Sequence, residues 1–275
     1  MRLCVRETSE NMQRFGLLGY PIAHSLSPSL FKAGYDGRYD YELVEQEDFD
    51  TAWRIFLKRY QAVNVTAPFK ELAFEKAKIR SRECELIGAA NILVQTPKGV
   101  SAWNSDCTGV AALLRKAFGG DHFLDGRSCL VVGAGGAGKA AAVAALTCGM
   151  KVSMINRSLS RALDYSHRLA LSSKSLTVLP AEQFFKAFGE AEVVIYTASA
   201  PLWTVLPEEP LARGPKILIE ANYRNPSFSA DLLSRICPET ELVRGEEWLL
   251  MQAVTGYSLM TGRNPDSAAM AAVLK

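Results

Sequence analysis

The segment from Leu130 to Arg157 constrains the fold of this chain more than any other part of it. It reads as an apolar strand, a glycine-rich turn, an alanine-rich helix and a second strand, which is how a dinucleotide-binding fold begins. Glycines stand at Gly133, Gly135 and Gly138, with the spacing G-x-G-x-x-G. The first permits the tight turn, the second lets the backbone approach a pyrophosphate, and the third lets the helix pack closely on the strand. The segment therefore predicts a Rossmann-type unit with phosphates at the helix N-terminus.

The same turn has most of a phosphate-binding P-loop, which would point to a nucleoside triphosphatase. Gly133 is followed after four residues by Gly138 and Lys139. A P-loop needs Ser or Thr at the next position as a magnesium ligand, and this chain has Ala140. We therefore favour the dinucleotide interpretation.

The end of the second predicted strand indicates which dinucleotide binds. A site for NAD usually has Asp or Glu about 20 residues after the glycines, next to the ribose 2′-OH. Here that place holds Asn156, Arg157 and Ser158, and Arg161 follows four residues after Arg157. Two guanidinium groups one helical turn apart suit a 2′-phosphate, which an acidic side chain would repel, and we expect no carboxylate in their vicinity. NADP is the predicted cofactor, with solvated surface arginines as the alternative.

Composition and charge exclude several classes of protein. The chain has 275 residues, enough for one large or two modest domains, and 48% of them are hydrophobic, enough for a full core. A formal net charge of +2, without a dense Lys/Arg run, predicts neither nucleic-acid nor membrane partners. The polar segment Met1–Gln13 lacks the apolar core of a signal peptide. The longest apolar run, from Ala140 to Met150, is shorter than the roughly 18 residues of a membrane helix.

The cysteines and histidines predict neither a disulfide framework nor a metal site. No C-x-x-C pair is present, which in a chain of this size is typical of reduced thiols in a cytosolic protein, so we expect a cytoplasmic location. The three histidines, His24, His122 and His167, are too far apart in the sequence for a zinc site. The six cysteines are Cys4, Cys84, Cys107, Cys129, Cys148 and Cys237.

Apolar strand-like runs alternate with helical stretches along the chain, which predicts an α/β fold with largely parallel sheets. Because the glycine turn begins only at residue 133, a separate α/β unit precedes the nucleotide-binding one, and we expect the substrate between the two. The tail 246–275 reads as two helices. In the first unit the predicted strands are 15–18, 39–44, 62–66 and 92–95, and the predicted helices 28–35, 49–60 and 69–78. In the second unit the predicted strands are 130–132, 152–155, 193–196 and 217–219.

Four polar clusters fall at predicted strand ends or turns of the first unit. An ordinary helix N-cap would explain either Ser25 or Ser27, and it would also explain Asp106. Lys70 would by default be a surface lysine. Strand alternation points Asn64 and Thr66 the same way. The clusters span 19–28, 64–70, 88–94 and 103–109.

Taken together, these clusters resemble the shikimate dehydrogenase family. Its N-P-I-x-H-S-x-S-P pattern is met up to Pro28, with Tyr20 for the usual Asn, and its N-V-T-x-P-x-K is met in full from Asn64 to Lys70. The family's G-A-x-N-T element is met at 88–92, with Ile92 in place of the Thr. The resemblance runs in order from about residue 15 to the C-terminus. It also includes N-T-D-x-x-G at 104–109, the glycine turn, the segment 156–158, and Gly245, Gln252-Ala253 and Thr261-Gly262.

The chain departs from the family pattern at several positions. Phe31-Lys32 stands where His-Asn is usual, and Trp248 replaces a Met. The Tyr-x-Pro loop is one residue longer, from Tyr223 to Pro226. These differences leave the expected chemical groups in place and bear on substrate preference.

The resemblance implies an N-terminal α/β substrate-binding domain and a Rossmann-type, doubly wound NADP-binding domain, with C-terminal helices that return to the first. We expect the first domain at 1–105 and 246–275, and the second at 106–245. The implied activity is the reversible NADPH-dependent reduction of 3-dehydroshikimate to shikimate, in aromatic amino-acid biosynthesis. The alternatives are an NAD(P)-dependent quinate/shikimate dehydrogenase and a non-catalytic NADP-binding sensor. The expected partner is the small-molecule substrate, and the chain itself is expected to be a monomer or homodimer.

The resemblance also assigns roles to individual residues. Lys70 and Asp106 correspond to the catalytic pair. The residues expected to bind the substrate are Ser25, Ser27, Asn64, Thr66, Asn91, Tyr223 and Gln252. The residues expected to bind the cofactor are Gly133, Ala134, Gly135, Gly136, Ala137, Asn156, Arg157, Ser158, Arg161 and Gly245. No metal is expected.

Overall fold

A computed structural model describes residues 13–170, 172, 175–211 and 213–275. The polar segment before residue 13, with Cys4, lies outside the described residues. Over the described chain no helix is long and apolar enough to cross a membrane. The five cysteines with described surroundings are free and buried, and within the same ranges His, Cys, Asp and Glu form no group able to hold a metal ion.

The first sheet is mixed, with the strand order β2-β1-β3-β5-β6-β4. Strands β1, β2 and β3 run parallel, as predicted, whereas β5 runs antiparallel to both β3 and β6. Only two residues separate β5 from β6, so they form a hairpin. The strands are β1 Arg14–Gly19, β2 Asp40–Glu45, β3 Ala62–Val65, β4 Ile79–Arg80, β5 Ile92–Thr96 and β6 Gly99–Trp103. The helices are α1 Ser27–Gly34, α2 Phe49–Arg59, α3 Lys70–Lys76, α4 Arg82–Ile87 and α5 Ser105–Phe118.

The second sheet is parallel throughout, with the strand order β12-β11-β10-β7-β8-β9. The chain winds from β7 first toward one edge and then toward the other, which confirms the doubly wound prediction. The strand order reverses between β7 and β10, where such sheets bind ligands. The strands are β7 Ser128–Val132, β8 Lys151–Ile155, β9 Thr177–Leu179, β10 Val193–Tyr196, β11 Ile217–Glu220 and β12 Glu241–Val243. The helices are α6 Gly136–Thr147, α7 Leu159–Ala170, α8 Phe184–Glu190 and α9 Ala230–Ile236.

The last two helices, α10 Gly245–Thr261 and α11 Ser267–Val273, return to the first unit, as predicted. Tyr257 and Met270 are buried in one hydrophobic cluster with Phe15 and Phe31. The backbone N–H of Asp266 donates to the Gly34 carbonyl oxygen, 2.8 Å away. Helix α10 also packs along α5. The exact domain boundaries, 105/106 and 245/246, stay a prediction.

Candidate active site

Lys70 and Asp106 form an ion pair at the junction of the two units. Lys70 is the first residue of α3 and Asp106 the second of α5, and Lys70 Nζ lies 2.6 Å from Asp106 Oδ2. The two side chains are 20% and 9% exposed. The N-cap of α5 is Asn104, whose side chain accepts a hydrogen bond from Cys107 N. The N-cap explanation of Asp106 is therefore wrong, and Lys70 is not an ordinary surface lysine.

Lys70 and Asp106 line a cavity of about 430 Å³ between the two units. All the residues predicted to bind substrate contribute to its lining. Ala137 and Gly245 reach it from the second unit and the start of α10. The sequence-predicted residues that line it with Lys70 and Asp106 are Ser25, Ser27, Asn64, Thr66, Asn91, Tyr223 and Gln252.

The two serines are not helix caps. Helix α1 has Leu26 as its N-cap residue, without a capping side-chain hydrogen bond in this described segment. Ser25 Oγ instead accepts a hydrogen bond from the backbone N–H of Ser27, at 3.2 Å. The explanation of one of them as the N-cap residue is therefore wrong, and both serines line the cavity.

The glycine turn has the geometry that a bound dinucleotide requires. Gly133 has φ +111°, which favours glycine, and a Cβ built on Gly138 would lie 2.0 Å from the Gly133 carbonyl oxygen. Among the described residues no atom comes within 4 Å of a Cβ built on Gly135, so the backbone is open to a ligand there. A Cβ on Gly136 would lie 3.3 Å from Lys70 Cδ. The turn and the ion pair therefore share one cleft.

The Asn156 side chain forms hydrogen bonds that connect the glycine turn to the end of β8. Its Oδ1 accepts a hydrogen bond from Ala134 N at 3.0 Å, and its Nδ2 donates to the Ser158 carbonyl oxygen at 2.9 Å. The amide therefore sets the distance between the turn and the Arg157 segment. This contact gives a physical reason for Asn at the position where NAD sites carry a carboxylate.

The arginines differ from the sequence expectation in two respects. Arg157 precedes α7, which begins at Leu159, so it does not lie one helical turn from Arg161. A carboxylate is also near: Glu71 Oε1, on α3 of the first unit, lies 3.3 Å from Arg161 Nη2 and 2.6 Å from Lys139 Nζ. Burial raises the pKa of Glu71, but the hydrogen bond and charge of Lys139, together with Arg161, outweigh it and hold that pKa below its usual value.

The loop after β11, which carries Tyr223, is built around a buried carboxylate. Glu220 is 1% exposed and accepts hydrogen bonds from the backbone N–H groups of Asn222, Ser227 and Phe228, at 3.0, 3.0 and 3.3 Å. Burial raises the pKa of Glu220 to about 7. A Cβ on Gly245 would lie 2.8 Å from Tyr223 N, so only glycine lets α10 begin against this loop.

Sequence reasoning missed several residues around the site. Trp248 Nε1 donates to the Asp106 carbonyl oxygen at 3.3 Å, and Ser105 contacts Asn91 and Gln252. Glu71 and Tyr41 were also missed. Ser105 and Glu71 carried a signal, since each directly adjoins a predicted catalytic residue, and Trp248 carried one as a departure from the family pattern.

The fold and the cleft together define a two-domain α/β protein of the dinucleotide-binding class, with a polar ligand cavity between its domains. Comparisons with known proteins make this class specific. Residues 17–93 match the family model of the shikimate dehydrogenase substrate binding domain. A shikimate dehydrogenase (NADP(+)) of Acidiphilium cryptum is 32% identical, over 91% of this chain and 91% of its own length. The chain belongs to the shikimate dehydrogenase family.

Solved structures show the same fold. A Thermus thermophilus shikimate 5-dehydrogenase in complex with NADP(H) and shikimate has a TM-score of 0.74 at 26% identity, covering 95% of this chain and 98% of that one. A quinate dehydrogenase of Corynebacterium glutamicum in complex with NAD has a TM-score of 0.79 over 96% and 98% of the two chains. Its 20% identity supports a common fold and nothing further.

Proposed function

We propose that this protein catalyses the reversible, NADPH-dependent reduction of 3-dehydroshikimate to shikimate, a step of aromatic amino-acid biosynthesis. The observation that carries the proposal is the Lys70–Asp106 pair, 2.6 Å apart, in a cleft bounded by the glycine turn. Membership of the shikimate dehydrogenase family supports it. A ketone reduction needs a hydride and a proton. In this cleft the dinucleotide site would supply the hydride, and the Lys70 ammonium group, as a general acid, would supply the proton.

NADPH supplies the hydride when it is bound. The open backbone at Gly135 and the N–H groups at the start of α6 suit its pyrophosphate. Arg157 and Arg161 suit its 2′-phosphate, because guanidinium groups bind phosphate oxygens with charge-assisted hydrogen bonds. The remaining residues proposed to bind the cofactor are Gly133, Ala134, Gly136, Ala137, Asn156, Ser158 and Gly245.

Lys70 is proposed to act on the substrate ketone. A cationic amine beside the carbonyl oxygen stabilises the negative charge that develops there and donates the proton. Asp106 holds the amine by the 2.6 Å contact and so orients it. In the oxidation of shikimate the same pair accepts the proton from the hydroxyl.

The other cavity residues are proposed to bind the hydroxyl groups and the carboxylate of the substrate. All seven are neutral, so they recognise the carboxylate by hydrogen bonds and not by an ion pair. A substrate of this kind is a small polyhydroxy acid, which fits a cavity of about 430 Å³. These residues are Ser25, Ser27, Asn64, Thr66, Asn91, Tyr223 and Gln252.

A steady-state assay tests this proposal. The protein is supplied with shikimate or quinate and with NADP or NAD, and kcat/KM is measured for the four pairs. We expect the highest value for shikimate with NADP. A preference for quinate with NAD would favour the quinate/shikimate dehydrogenase alternative, and no turnover with any pair would favour the non-catalytic sensor.

We further propose a cytoplasmic monomer or homodimer without nucleic-acid or membrane partners.

A further inference from the structure

Three side-chain amides of the cavity, Asn64, Asn91 and Gln252, belong to one hydrogen-bond network. An amide side chain can present either its oxygen, an acceptor, or its nitrogen, a donor. Which end faces the cavity therefore decides which ligand groups the site accepts. Backbone N–H and carbonyl groups, which can only donate or only accept, determine the orientation of two of these amides.

The orientation of Asn91 determines that of Gln252. The backbone N–H of Ser105 donates to Asn91 Oδ1 at 2.7 Å, so Asn91 must donate through Nδ2. Asn91 Nδ2 lies 3.1 Å from Gln252 Oε1, and Ser105 Oγ lies 3.2 Å from the same oxygen. Because the Gln252 oxygen accepts both bonds, its Nε2 is the end that remains for a ligand.

Asn64 is oriented by the backbone carbonyl of Asn91 and by a side chain that does not line the cavity. Its Nδ2 faces the backbone carbonyl oxygen of Asn91 at 3.5 Å, and its Oδ1 accepts a hydrogen bond from the Tyr41 hydroxyl at 2.9 Å. Tyr41 lies on β2, with its ring centre 4.6 Å from that of Phe31. Burial raises the pKa of Tyr41 well above its usual value, so the phenol keeps the proton that it donates to Asn64, and the same hydroxyl also interacts with the side chains of Ser27 and Tyr257.

We propose that Tyr41 is a positioning residue for the substrate: its hydroxyl donates to the Asn64 oxygen, so that the Asn64 amide nitrogen is the end left to donate to a ligand in the cavity that Gln252 also lines. Amide N–H donors from Asn64 and Gln252 in one cavity suit oxygen acceptors such as the carboxylate or hydroxyl oxygens of a polyhydroxy acid. This inference rests on the proposed function, since it names what the cavity recognises. It adds a residue that no motif of the sequence contains.

A pair of tyrosine variants tests the inference. Tyr41→Phe removes only the hydroxyl. Tyr35→Phe is the matched control, because Tyr35 packs on the same Phe31 ring and its hydroxyl bonds to Thr261 Oγ1 and the Arg263 carbonyl oxygen, away from the cavity. We expect Tyr41→Phe to raise the KM for shikimate about three- to tenfold, the range for one hydrogen bond, with kcat and the KM for NADP unchanged. Tyr35→Phe should lower only the melting temperature.

A double-mutant cycle shows whether Tyr41 acts through Asn64. If it does, Tyr41→Phe should add nothing to the KM of the Asn64→Ala protein. Equal KM values in the two phenylalanine variants, or a full additional increase in the Asn64→Ala background, would overturn the positioning role while the proposed function stands. Turnover of shikimate by the unaltered protein is measured first. Its absence would overturn the proposed function and this inference together.

Discussion

Truncation of Lys70 tests the chemistry directly, and the structure determines what else it should change. Lys70→Ala removes the amine that lies 2.6 Å from Asp106 Oδ2. As the proton donor to the ketone, that amine should contribute about 10²–10⁴-fold to kcat, the range for a positioned acid. This corresponds to roughly 3–5 kcal/mol of barrier at about 1.4 kcal/mol per tenfold change in rate.

The same substitution also affects stability. It leaves the Asp106 side chain, which is only 9% exposed, without its charged partner. A charge-assisted hydrogen bond contributes about 1.5–3 kcal/mol, so we expect the free energy of unfolding to fall by about that amount. For a chain of this size the melting temperature should fall by roughly 2–4 °C per kcal/mol, which leaves the protein folded at 25 °C.

Kinetics at 25 °C and thermal melts separate the two effects. Lys76→Ala is the control: it lies on the same helix and pairs with Asp50, but its side chain is 40% exposed and it lies outside the cavity. It should keep full kcat. Asp106→Asn removes the charge without removing the cap, since Asn104 caps α5, and its loss of turnover should combine non-additively with that of Lys70→Ala. A folded Lys70→Ala protein with nearly unaltered kcat would refute the role of Lys70.

Three other expectations concern cofactor, substrate and pH. Arg157→Ala should lower the ratio of kcat/KM for NADP over NAD by about tenfold or more, because a charge-assisted contact contributes about 1.5–3 kcal/mol; equal use of both cofactors by the unaltered protein would contradict it. Thr66→Val and Gln252→Ala should raise the KM for shikimate and leave that for NADP nearly unchanged; the reverse pattern in the same kinetics would contradict the placement of the substrate. Burial raises the pKa of Glu220 to about 7, so the folded state holds this proton more tightly than the unfolded state, and stability should fall as pH rises toward 7, by at most about 3 kcal/mol. Melts of Glu220→Gln between pH 5 and 8 should lack this slope.

Much of the fold and of the cavity could be predicted because the information is local. The glycine spacing at Gly133, Gly135 and Gly138 specifies a strand, a turn and a helix within ten residues. Asn64 and Thr66 end one strand immediately before the helix that begins at Lys70, so their common direction follows from strand alternation. Every substrate-site residue that the resemblance implied lines the cavity.

Two features could not be predicted, one because it depends on local backbone angles and the other because it brings distant residues together. The Asn104 cap replaces the expected Asp106 cap because the choice depends on backbone angles at the turn, and Asn and Asp cap equally well in a sequence. The hydroxyl of Tyr41 reaches Asn64 only because β2 and β3 flank β1 in the sheet. Neither of these two hydrogen bonds can be predicted from a periodicity or a motif.

Glu71 changes the argument for NADP. The sequence has no carboxylate directly beside the two arginines. In the folded protein, however, Glu71, which is 90 residues away in the chain, contacts Arg161. The charges nevertheless favour a phosphate, because Lys139 shares the same carboxylate oxygen and Arg157, two residues after the end of β8, adds a third cation at that strand end. One negative and three positive side chains leave an excess of positive charge at the end of β8. We therefore expect the preference for NADP to depend on a surplus of cations there and not on the absence of anions.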